Sequence, residues 1–280
     1  MRQLKIAIQG SLASFHDLAA KQFFGEGNQT IACGSFREVC ERLSGNGVDY
    51  GVIAIENKVA GSILMNYQLI EAFDLKIIGE TYLPIQLGLY GKKGANIGQI
   101  KEIVSHPMAL AQCQHYLATL NDVVVTEFKD TATSAQLINQ QEDGTLAVIA
   151  GPTVAATYDL ACLNENVCDE LHNYTRFYIL TKGEDVVEQP NKASINIVTN
   201  HEVGALAQVL NKVKDHNVNL SKIQSVPIPN VHDRYMMHLD LEFEDKRVLN
   251  LLLKDIEQLV TKIKILGIYK SASIVLPKNN

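Results

Sequence analysis

Short apolar runs alternate with segments of helical periodicity along the first two thirds of the chain. The apolar runs predict strands at residues 4–9, 50–55, 75–78, 100–104, 123–128 and 146–150. The segments between them predict helices at residues 14–24, 62–73, 108–120, 133–140 and 153–160, and the capping-box spacing at Ser35 predicts another. This alternation predicts an α/β fold whose open, largely parallel sheets carry helices on both faces.

The pattern changes after residue 182. Residues 183–192 are charged, lack periodicity and contain a proline, and we interpret them as an interdomain linker. Beyond the linker, strands are predicted at residues 194–199, 220–228, 235–243 and 270–275, and helices at residues 204–217 and 247–266. This βαββαβ order predicts a ferredoxin-like domain over residues 193–280.

Length and charge narrow the class of protein. The 280 residues exceed one typical domain, and a hydrophobic content of 46% is sufficient for more than one core. The formal net charge is −6 and no long basic run occurs, so binding to nucleic acid or to an anionic membrane is not expected. Apolar stretches fall short of the ~18 residues of a membrane span, and no signal-peptide pattern precedes the first strand, which predicts a cytoplasmic protein.

The sequence motifs of several common kinds of site are missing. There is no GxGxxG after the first strand, no GxxxxGK[ST], no GxSxG and no HExxH. The five cysteines lack metal-binding spacing, which predicts reduced thiols and no metal site.

Short polar side chains gather where predicted strands end and helices begin. The loops cover residues 10–14, 56–62, 105–107 and 130–134, and Thr175 and Arg176 open the apolar run 177–180. Free N–H groups of a helix N-terminus beside such side chains are suited to binding a carboxylate or phosphate. For any single loop, N-capping is the better explanation, whereas convergence of all of them on one cleft favours an anion site.

Five motifs in a fixed order give the chain a family resemblance. They are IENKVAGSI at 55–63, SHPMALAQC at 105–113, DTATSA at 130–135, NYTRF at 173–177 and GALA at 204–207. Together they resemble the prephenate dehydratases, over essentially the whole chain, and specifically the bacterial monofunctional form with a C-terminal ACT domain. The resemblance implies conversion of prephenate to phenylpyruvate, CO₂ and water in phenylalanine biosynthesis, without a cofactor or a metal.

The resemblance also implies a domain architecture. Residues 1–182 are expected to form a catalytic domain of two α/β subdomains, arranged as in type II periplasmic binding proteins with the substrate in the cleft between them. One subdomain comprises residues 1–78 with 175–182, and the other residues 79–174. The crossovers are expected near residues 78–80 and 173–176. Residues 193–280 are expected to form the ACT regulatory domain.

Roles for individual residues follow from the same resemblance. The catalytic residues are expected to be Thr175, Ser105, Asn57 and Gln112, with the hydroxyl of Thr175 donating a hydrogen bond to the leaving oxygen. For Arg176, a structural ion pair is the alternative to holding a substrate carboxylate. The residues expected to bind the substrate are Arg176, Phe177, Ser14, His106, Thr133 and Ser134.

The sequence departs from the family's motifs in three places. The opening loop reads GSLASFHDLAA where the family has GPxGSFSHxAA, which puts His16 and Asp17 in place of Ser-His. Lys58 follows Asn57 where the family has Thr or Ser, either as an additional anion contact or as an exposed side chain. The family's ESRP motif reads Gln224-Ser225-Val226-Pro227 here.

The last departure concerns regulation. In the family, GALA and ESRP bind phenylalanine across an ACT dimer interface, so the resemblance implies L-phenylalanine as an allosteric ligand and a homodimer or homotetramer. With ESRP altered, the strength of inhibition stays open. The expected allosteric residues are Gly204, Ala205, Leu206, Ala207, Gln224, Ser225 and Pro227.

Two other functions fit the same residues. Arogenate dehydratase would use the same fold and a substrate that differs only in the side chain. A non-catalytic, ACT-coupled amino-acid sensor would bind a ligand without turnover, but a sensor does not need the leaving-group donor Thr175.

Overall fold

The computed structural model describes residues 2–141, 143–183, 185, 187–228, 231 and 234–274, which form three sheets. The α/β architecture predicted from the hydrophobic pattern is confirmed. No helix in these ranges is long and apolar enough to cross a membrane. All five cysteines are free thiols.

The chain begins with the strands and helices of a first lobe. In order they are β1 (Lys5–Gln9), α1 (Phe15–Phe24), β2 (Gln29–Cys33), α2 (Phe36–Ser44), β3 (Tyr50–Asn57), β4 (Gly61–Ser62), α3 (Leu64–Ala72) and β5 (Lys76–Pro84). The second lobe follows with β6 (Gly88–Gly91), a 3₁₀ turn (Ile97–Gln99), β7 (Glu102–Ser105), α4 (Pro107–Ala111), α5 (Gln114–Leu117), β8 (Val124–Glu127), α6 (Thr131–Ile138), β9 (Leu146–Ala150), α7 (Thr153–Tyr158) and β10 (Ala161–Asn164). Strand β11 (Tyr174–Thr181) then returns to the first lobe.

The sheets of the two lobes share one topology. The first has the order β2-β1-β3-β11-β5, and the second has the order β8-β7-β9-β6-β10. In each, three parallel strands are followed by an antiparallel strand that enters directly from the other lobe. The open ends of the parallel strands therefore face each other across a cleft, where ligands of α/β sheets usually bind.

The first crossover lies later than predicted. Strand β5 stays in the first sheet up to Pro84, because its backbone pairs with β11 from Lys76 to Pro84, so residues 79–84 belong to the first lobe rather than the second. The second crossover leads directly into Tyr174, within the predicted range.

The C-terminal domain consists of β12 (Lys192–Thr199), α8 (Ala205–Asp215), β13 (Asn219–Pro227), β14 (Tyr235–Glu242), α9 (Lys246–Glu257) and β15 (Val260–Tyr269). Its antiparallel sheet has the order β13-β14-β12-β15, which is the ferredoxin-like arrangement of a βαββαβ unit. Part of the predicted linker is structured, since Lys192 already belongs to β12.

Two helices have other bounds in the structure than the sequence predicts. The helix predicted at 108–120 is divided into α4 and α5, because the carboxylate of Asp169 accepts hydrogen bonds from the N–H groups of Gln114 and His115 and starts a new helix there. The helix predicted to reach residue 266 ends at Glu257, and residues 260–269 form β15 by pairing with β12. The strand predicted at 270–275 is thus displaced; residue 275 lies outside the described residues.

The C-terminal domain packs against the first lobe through a continuous apolar core. Val226, Met236, Leu266 and Tyr269 of the domain cluster with Tyr67, Ile77, Tyr178 and Leu180 of the lobe. The two backbones approach closely at Gly267, where a β-carbon would lie 1.9 Å from the carbonyl oxygen of Ile77. The opposite face of β11, with Phe177 and Ile179, packs towards α1 and the cleft.

Candidate active site

The cleft between the two lobes has a volume of about 500 Å³. Most of its wall is apolar, including Phe15, Phe36, Ile63, Leu87 and Phe177. Its polar side chains come from the strand ends and helix starts of both lobes. They are Gln9, Ser14, His16, Asn57, His106, Gln112, Asp130, Thr131 and Thr175.

A β-bulge at Ile55 decides which side chains of β3 enter this cleft. In the register with β11, Phe177 is paired with Ala54 but Arg176 is paired with Glu56, so Ile55 has no partner residue on β11. An extra residue of this kind re-aims the side chains that follow it. As a result Asn57 and Thr175 are paired on the cleft side, while Glu56 and Arg176 point to the C-terminal domain.

Four polar side chains form a hydrogen-bonded row along the mouth of the cleft. The amide of Asn57 donates to the hydroxyl of Thr175 at 2.9 Å and to Oδ1 of Asn173 at 2.8 Å. Asn173 in turn donates to Oε1 of Gln112 in the second lobe at 3.1 Å. The row therefore joins both lobes and brings together three of the four predicted catalytic residues. Asn173 is the member that sequence reasoning missed, although it belongs to the NYTRF motif.

The row fixes the direction of the Thr175 hydroxyl. Its oxygen accepts from Asn57, and no acceptor for its hydrogen is found among the described residues. Thr175 is only 8% exposed, so the group that receives this hydrogen must enter the cleft. The site thus holds a pre-oriented hydrogen-bond donor over an apolar wall.

Two neutral imidazoles line the cleft. Nδ1 of His106 accepts from the N–H of Met108 at 3.1 Å, so the neutral ring carries its hydrogen on Nε2. Burial lowers the pKa of His106, and the charges of Asp130 and Glu127 offset this only in part. Nε2 of His16 accepts from the N–H of Ala54 at 3.2 Å, and burial lowers the pKa of His16 to about 4. Both rings are therefore neutral donors near pH 7.

The buried carboxylate of Asp17 holds the loop that opens the sequence motif, residues 10–14. This carboxylate is fully buried and accepts from the N–H of Ala13 at 3.0 Å and from the hydroxyl of Thr30 at 2.9 Å. Ala13 has a φ of 66°, a strained value for a residue with a β-carbon, and the Asp17 bond supports it. Ser14, for which substrate binding is predicted, caps α1 and lines the cleft.

Several predicted site residues lie behind the cleft wall. Ser105 is fully buried and donates to the carbonyl of Ile149, and Ser134 donates to the carbonyl of Asp130 within α6. Thr133 donates to the Asp130 carboxylate, so in the DTATSA loop it is Asp130 and Thr131 that reach the cleft. For Thr133 and Ser134 the prediction of substrate contact is wrong, because each hydroxyl is used for local structure. Ser105, predicted to be catalytic, does not line the cleft.

Arg176 does not face the cleft either. Alternation along β11 turns its side chain to the opposite face of the sheet, where the guanidinium pairs with Glu80 and with Asp240 of the C-terminal domain. Of the two predictions for Arg176, the structural ion pair is correct, and the binding of a substrate carboxylate is wrong. Glu56 pairs with Lys222 at 2.8 Å, and Lys58 is exposed.

The charge of the cleft wall is unusual for a site that receives anions. No lysine or arginine is present among its lining residues within the described ranges, and Asp130 contributes a carboxylate. No group of three His, Cys, Asp or Glu side chains in those ranges is placed to hold a metal ion. Anions entering the cleft would meet neutral imidazoles, hydroxyls, amides and the N-terminus of α1.

A second depression lies at the GALA sequence. It has a volume of about 480 Å³ and is lined by residues 199–207 together with Arg234, Tyr235 and Met237. Gly204 has a φ of 83° and caps α8 without a side chain. Gln224, Ser225 and Pro227 are not part of this lining within one chain, and Val226 is buried against the first lobe.

The sequence of both lobes matches a known protein family. A sequence profile of the prephenate dehydratase family matches residues 6–185, which include the whole hydrogen-bonded row of the cleft. The chain belongs to the prephenate dehydratase family. The resemblance recognised in the five motifs is thereby confirmed, and the chain is a family member of the lyase class.

Three relatives illustrate the range of the family. The chain is 33% identical over 264 residues to the prephenate dehydratase of Methanocaldococcus jannaschii, covering 91% of this chain and 94% of that protein. It is 32% identical over 274 residues to the bifunctional chorismate mutase/prephenate dehydratase of Aquifex aeolicus, covering 97% and 75%. It is 30% identical over 285 residues to the chloroplastic arogenate dehydratase 3 of Arabidopsis thaliana, covering 95% and 67%.

A solved structure agrees in fold over nearly the whole chain. The prephenate dehydratase of Arthrobacter aurescens in complex with L-Phe superposes with a TM-score of 0.86 at 25% identity. The superposition covers 98% of this chain and 94% of that one. The two lobes and the C-terminal domain are therefore arranged as in that protein.

Proposed function

We propose that this chain converts prephenate to phenylpyruvate, CO₂ and water. The observation that carries the proposal is the row from Thr175 through Asn57 and Asn173 to Gln112, which presents one free hydroxyl hydrogen to an apolar cleft. Family membership supplies the reaction class.

The chemistry requires little from the protein beyond positioning. In prephenate, loss of the ring hydroxyl and of the ring carboxylate as CO₂ makes the ring aromatic, which supplies the driving force. The C–O bond breaks as the leaving oxygen takes up a proton from solvent and departs as water, and the electrons of the C–CO₂⁻ bond enter the ring as CO₂ leaves. Thr175 donates a hydrogen bond to the leaving oxygen, and the apolar wall with Phe177 receives the flat ring.

Neutral donors hold the carboxylates in this proposal. Nε2–H of His106, Nδ1–H of His16 and the first-turn N–H groups of α1 take the place of the cations that the cleft wall lacks. A weakly held ring carboxylate suits the reaction, because strong stabilisation of this anion would oppose its departure as CO₂.

The test compares two variants of one strand. Thr175→Val keeps the shape and removes the donor, and we expect kcat for phenylpyruvate formation from prephenate to fall by ~10²–10⁴. Thr181→Val, at a buried position of the same strand outside the cleft, is the matched control and should retain turnover. Wild-type protein without phenylpyruvate formation, or Thr175→Val with full kcat, would refute the proposal.

Arogenate is the second candidate substrate. It is supported by the similarity to arogenate dehydratase 3 of Arabidopsis thaliana and by the carboxylate of Asp130, which an ammonium group of arogenate could meet in the cleft. The ratio of kcat/KM for the two substrates decides between them. Asp130→Asn should lower kcat/KM for arogenate selectively if arogenate is the substrate.

We further propose that the C-terminal domain is an ACT module that binds L-phenylalanine in the depression at Gly204. Support comes from the ferredoxin-like topology, from the GALA sequence and from the L-Phe complex of the Arthrobacter aurescens relative. The proposal includes a homodimer or homotetramer, in which Gln224, Ser225 and Pro227 of one subunit complete the depression of another.

A pocket-filling variant tests the ligand. Ala207 is exposed and lines the depression, whereas the neighbouring Gln208 is exposed outside it. Ala207→Trp should abolish binding of L-phenylalanine measured by calorimetry, and Gln208→Trp should leave it intact. Light scattering with and without L-phenylalanine measures the oligomeric state, and a monomer under all conditions would contradict the dimer.

A further inference from the structure

Two adjacent strands of the first lobe carry the reacting side chains on one face and ion pairs to the C-terminal domain on the other. On β11, Thr175 faces the cleft and its neighbour Arg176 contacts the C-terminal domain; on β3, the same holds for Asn57 and Glu56. The bulge at Ile55 brings these residues into register as two cross-strand pairs. Each cleft residue is thus one peptide bond away from a residue that the C-terminal domain holds.

The contact through Arg176 is deeply buried. Its side chain is 3% exposed, and its guanidinium lies between the carboxylates of Glu80 and Asp240, whose side chains are fully buried. Asp240 also accepts from the hydroxyl of Tyr178 at 3.2 Å and from the hydroxyl of Ser194. Burial would raise the pKa of Asp240, but Arg176 above all, with His238 and Lys192, holds that pKa well below its usual range.

The contact through Glu56 lies nearer to solvent than the contact through Arg176. Lys222 of β13 lies 2.8 Å from Glu56 and also donates to the hydroxyl of Ser62 at 3.1 Å. Glu56 and Ser62 are cross-strand partners on β3 and β4. The turn between them carries the N–H groups that donate hydrogen bonds to Oδ1 of Asn57. Lys222 therefore clamps the hairpin that orients Asn57.

We propose that Asp240 and Lys222 of the C-terminal domain are positioning residues for the dehydration reaction. They hold Arg176 and Glu56 from behind the sheet and so fix the hydroxyl of Thr175 and the amide of Asn57 in the cleft. The placement of these cleft residues consequently depends on contacts made by the C-terminal domain, even when no effector is bound. This inference rests on the proposed function for its kinetic readout.

The physical basis is the steep dependence of catalysis on position. A displacement of about 1 Å at a reacting group can cost ~10² in rate. Removing one partner of a buried ion pair leaves an uncompensated charge, which relaxes by moving strand or side chain towards water. In Asp240→Asn the carboxylate of Glu80 remains but is shared by Arg176 and Lys192, so the buried cluster keeps an excess of positive charge. Its relaxation would move β11 at the residue next to Thr175.

The control in the kinetic test is an ion pair between the same two domains that involves neither β3 nor β11. Lys262 of β15 lies 2.7 Å from Glu71 of α3, so Lys262→Met breaks a contact between the same two domains elsewhere. We expect Asp240→Asn to lower kcat by ~10² and Lys222→Met by about tenfold, with KM changed much less, and Lys262→Met to leave kcat near the wild-type value. Thermal unfolding of each variant establishes that it is folded at the assay temperature.

Exchanging the charges of Glu56 and Lys222 tests whether restoring their ion pair restores kcat. Glu56→Lys and Lys222→Glu should each lower kcat, and the double variant, which restores the pair with reversed sign, should recover most of it. Equal kcat for Lys222→Met and Lys262→Met, together with no recovery in the double variant, would overturn the role of Lys222. Folded Asp240→Asn with the kcat of the control would overturn that of Asp240.

A second readout does not depend on the substrate. Hydrogen–deuterium exchange should increase at residues 174–177 and 56–60 in Asp240→Asn and Lys222→Met respectively, and should not do so in Lys262→Met. Unchanged exchange in those segments contradicts the inference even if turnover is altered. Wild-type protein that fails to turn over prephenate but shows the expected exchange refutes the proposed substrate and leaves the positioning role standing.

Discussion

Nδ2 of Asn57 lies 2.9 Å from the hydroxyl oxygen of Thr175, and the direction of this hydrogen bond determines what the site can do. An amide nitrogen can only donate, so the threonine oxygen accepts and its own hydrogen is left for the cleft. Oδ1 of the same Asn57 accepts from the N–H groups of Val59 and Ala60 at 3.0 and 2.8 Å. One side chain thus sets both the polarity of the hydroxyl and the shape of the turn after β3.

Reversing that polarity should abolish most of the activity. Asn57→Asp retains an acceptor for Val59 and Ala60, but its carboxylate would take the hydrogen of Thr175. We expect kcat to fall by ~10²–10⁴, with a stability loss of about 1–3 kcal/mol for the unsatisfied partners. Steady-state kinetics and urea unfolding measure the two effects. Wild-type kcat in Asn57→Asp would mean that Thr175 is not the donor.

The two serine N-caps of the first lobe allow stability to be separated from activity. Ser14 caps α1 by accepting from Asp17 N–H at 3.3 Å, and Ser35 caps α2 by accepting from Glu38 N–H at 3.2 Å. Replacing either serine by alanine should cost about 1 kcal/mol of unfolding free energy. Only Ser14→Ala should also lower kcat/KM, because only Ser14 lines the cleft. Equal kcat/KM in both variants would remove Ser14 from the site.

Acid should destabilise the protein through His16. Its pKa falls from 6.5 to about 4 on folding because the ring is buried, so the folded state disfavours the protonated ring. This contribution to stability is complete above pH 6.5 and declines as the pH falls towards 4. His16→Gln can place its amide oxygen near the position of Nε2 and still accept from Ala54 N–H, but it does not titrate, so its unfolding free energy should depend less on pH in this window. Urea titrations at several pH values test this, and parallel curves would contradict it.

A methyl group at the domain junction should disturb the docking of the C-terminal domain. In Gly267→Ala the new carbon would lie 1.9 Å from the carbonyl oxygen of Ile77, so the backbones must separate. We expect a loss of about 1–3 kcal/mol and a lower kcat if docking positions the cleft strands. Gly34→Ala is the control, since its nearest neighbour is the flexible Glu38 carboxylate at 3.5 Å. Similar melting temperatures for the two variants would contradict the close approach.

The sequence predicted the lobes and most of the hydrogen-bonded row because short apolar runs and motifs mark them. Apolar runs identified β1, β3 and β9, and the motifs identified Thr175, Asn57 and Gln112. Edge strands such as β2 and β10 were missed, because partly exposed strands lack a continuous apolar run. In β15, Val260, Ile263 and Leu266 are spaced as on a helix, and only pairing with β12 makes the segment a strand.

The direction of the side chains was not predictable from the sequence. Adjacent residues in a strand face opposite sides, so Thr175 and Arg176 cannot both line one face, but which of the two faces the cleft depends on tertiary packing. The bulge at Ile55 reverses the expected alternation of β3 and leaves no mark in composition. Ser105 lies at the end of a motif strand, and its burial follows from the neighbouring strand β9, whose Ile149 carbonyl it contacts.

The placement of charge in this protein also affects the encounter with its substrate. Arg176, the cation next to Thr175, is turned away from the cleft, while Asp130 lies in it and the whole chain carries a net charge of −6. A dianionic substrate therefore approaches without electrostatic steering and against a weak repulsion. Raising the ionic strength shortens the Debye length and should increase the association rate, whereas for an enzyme with arginines lining its cleft the same salt would slow binding.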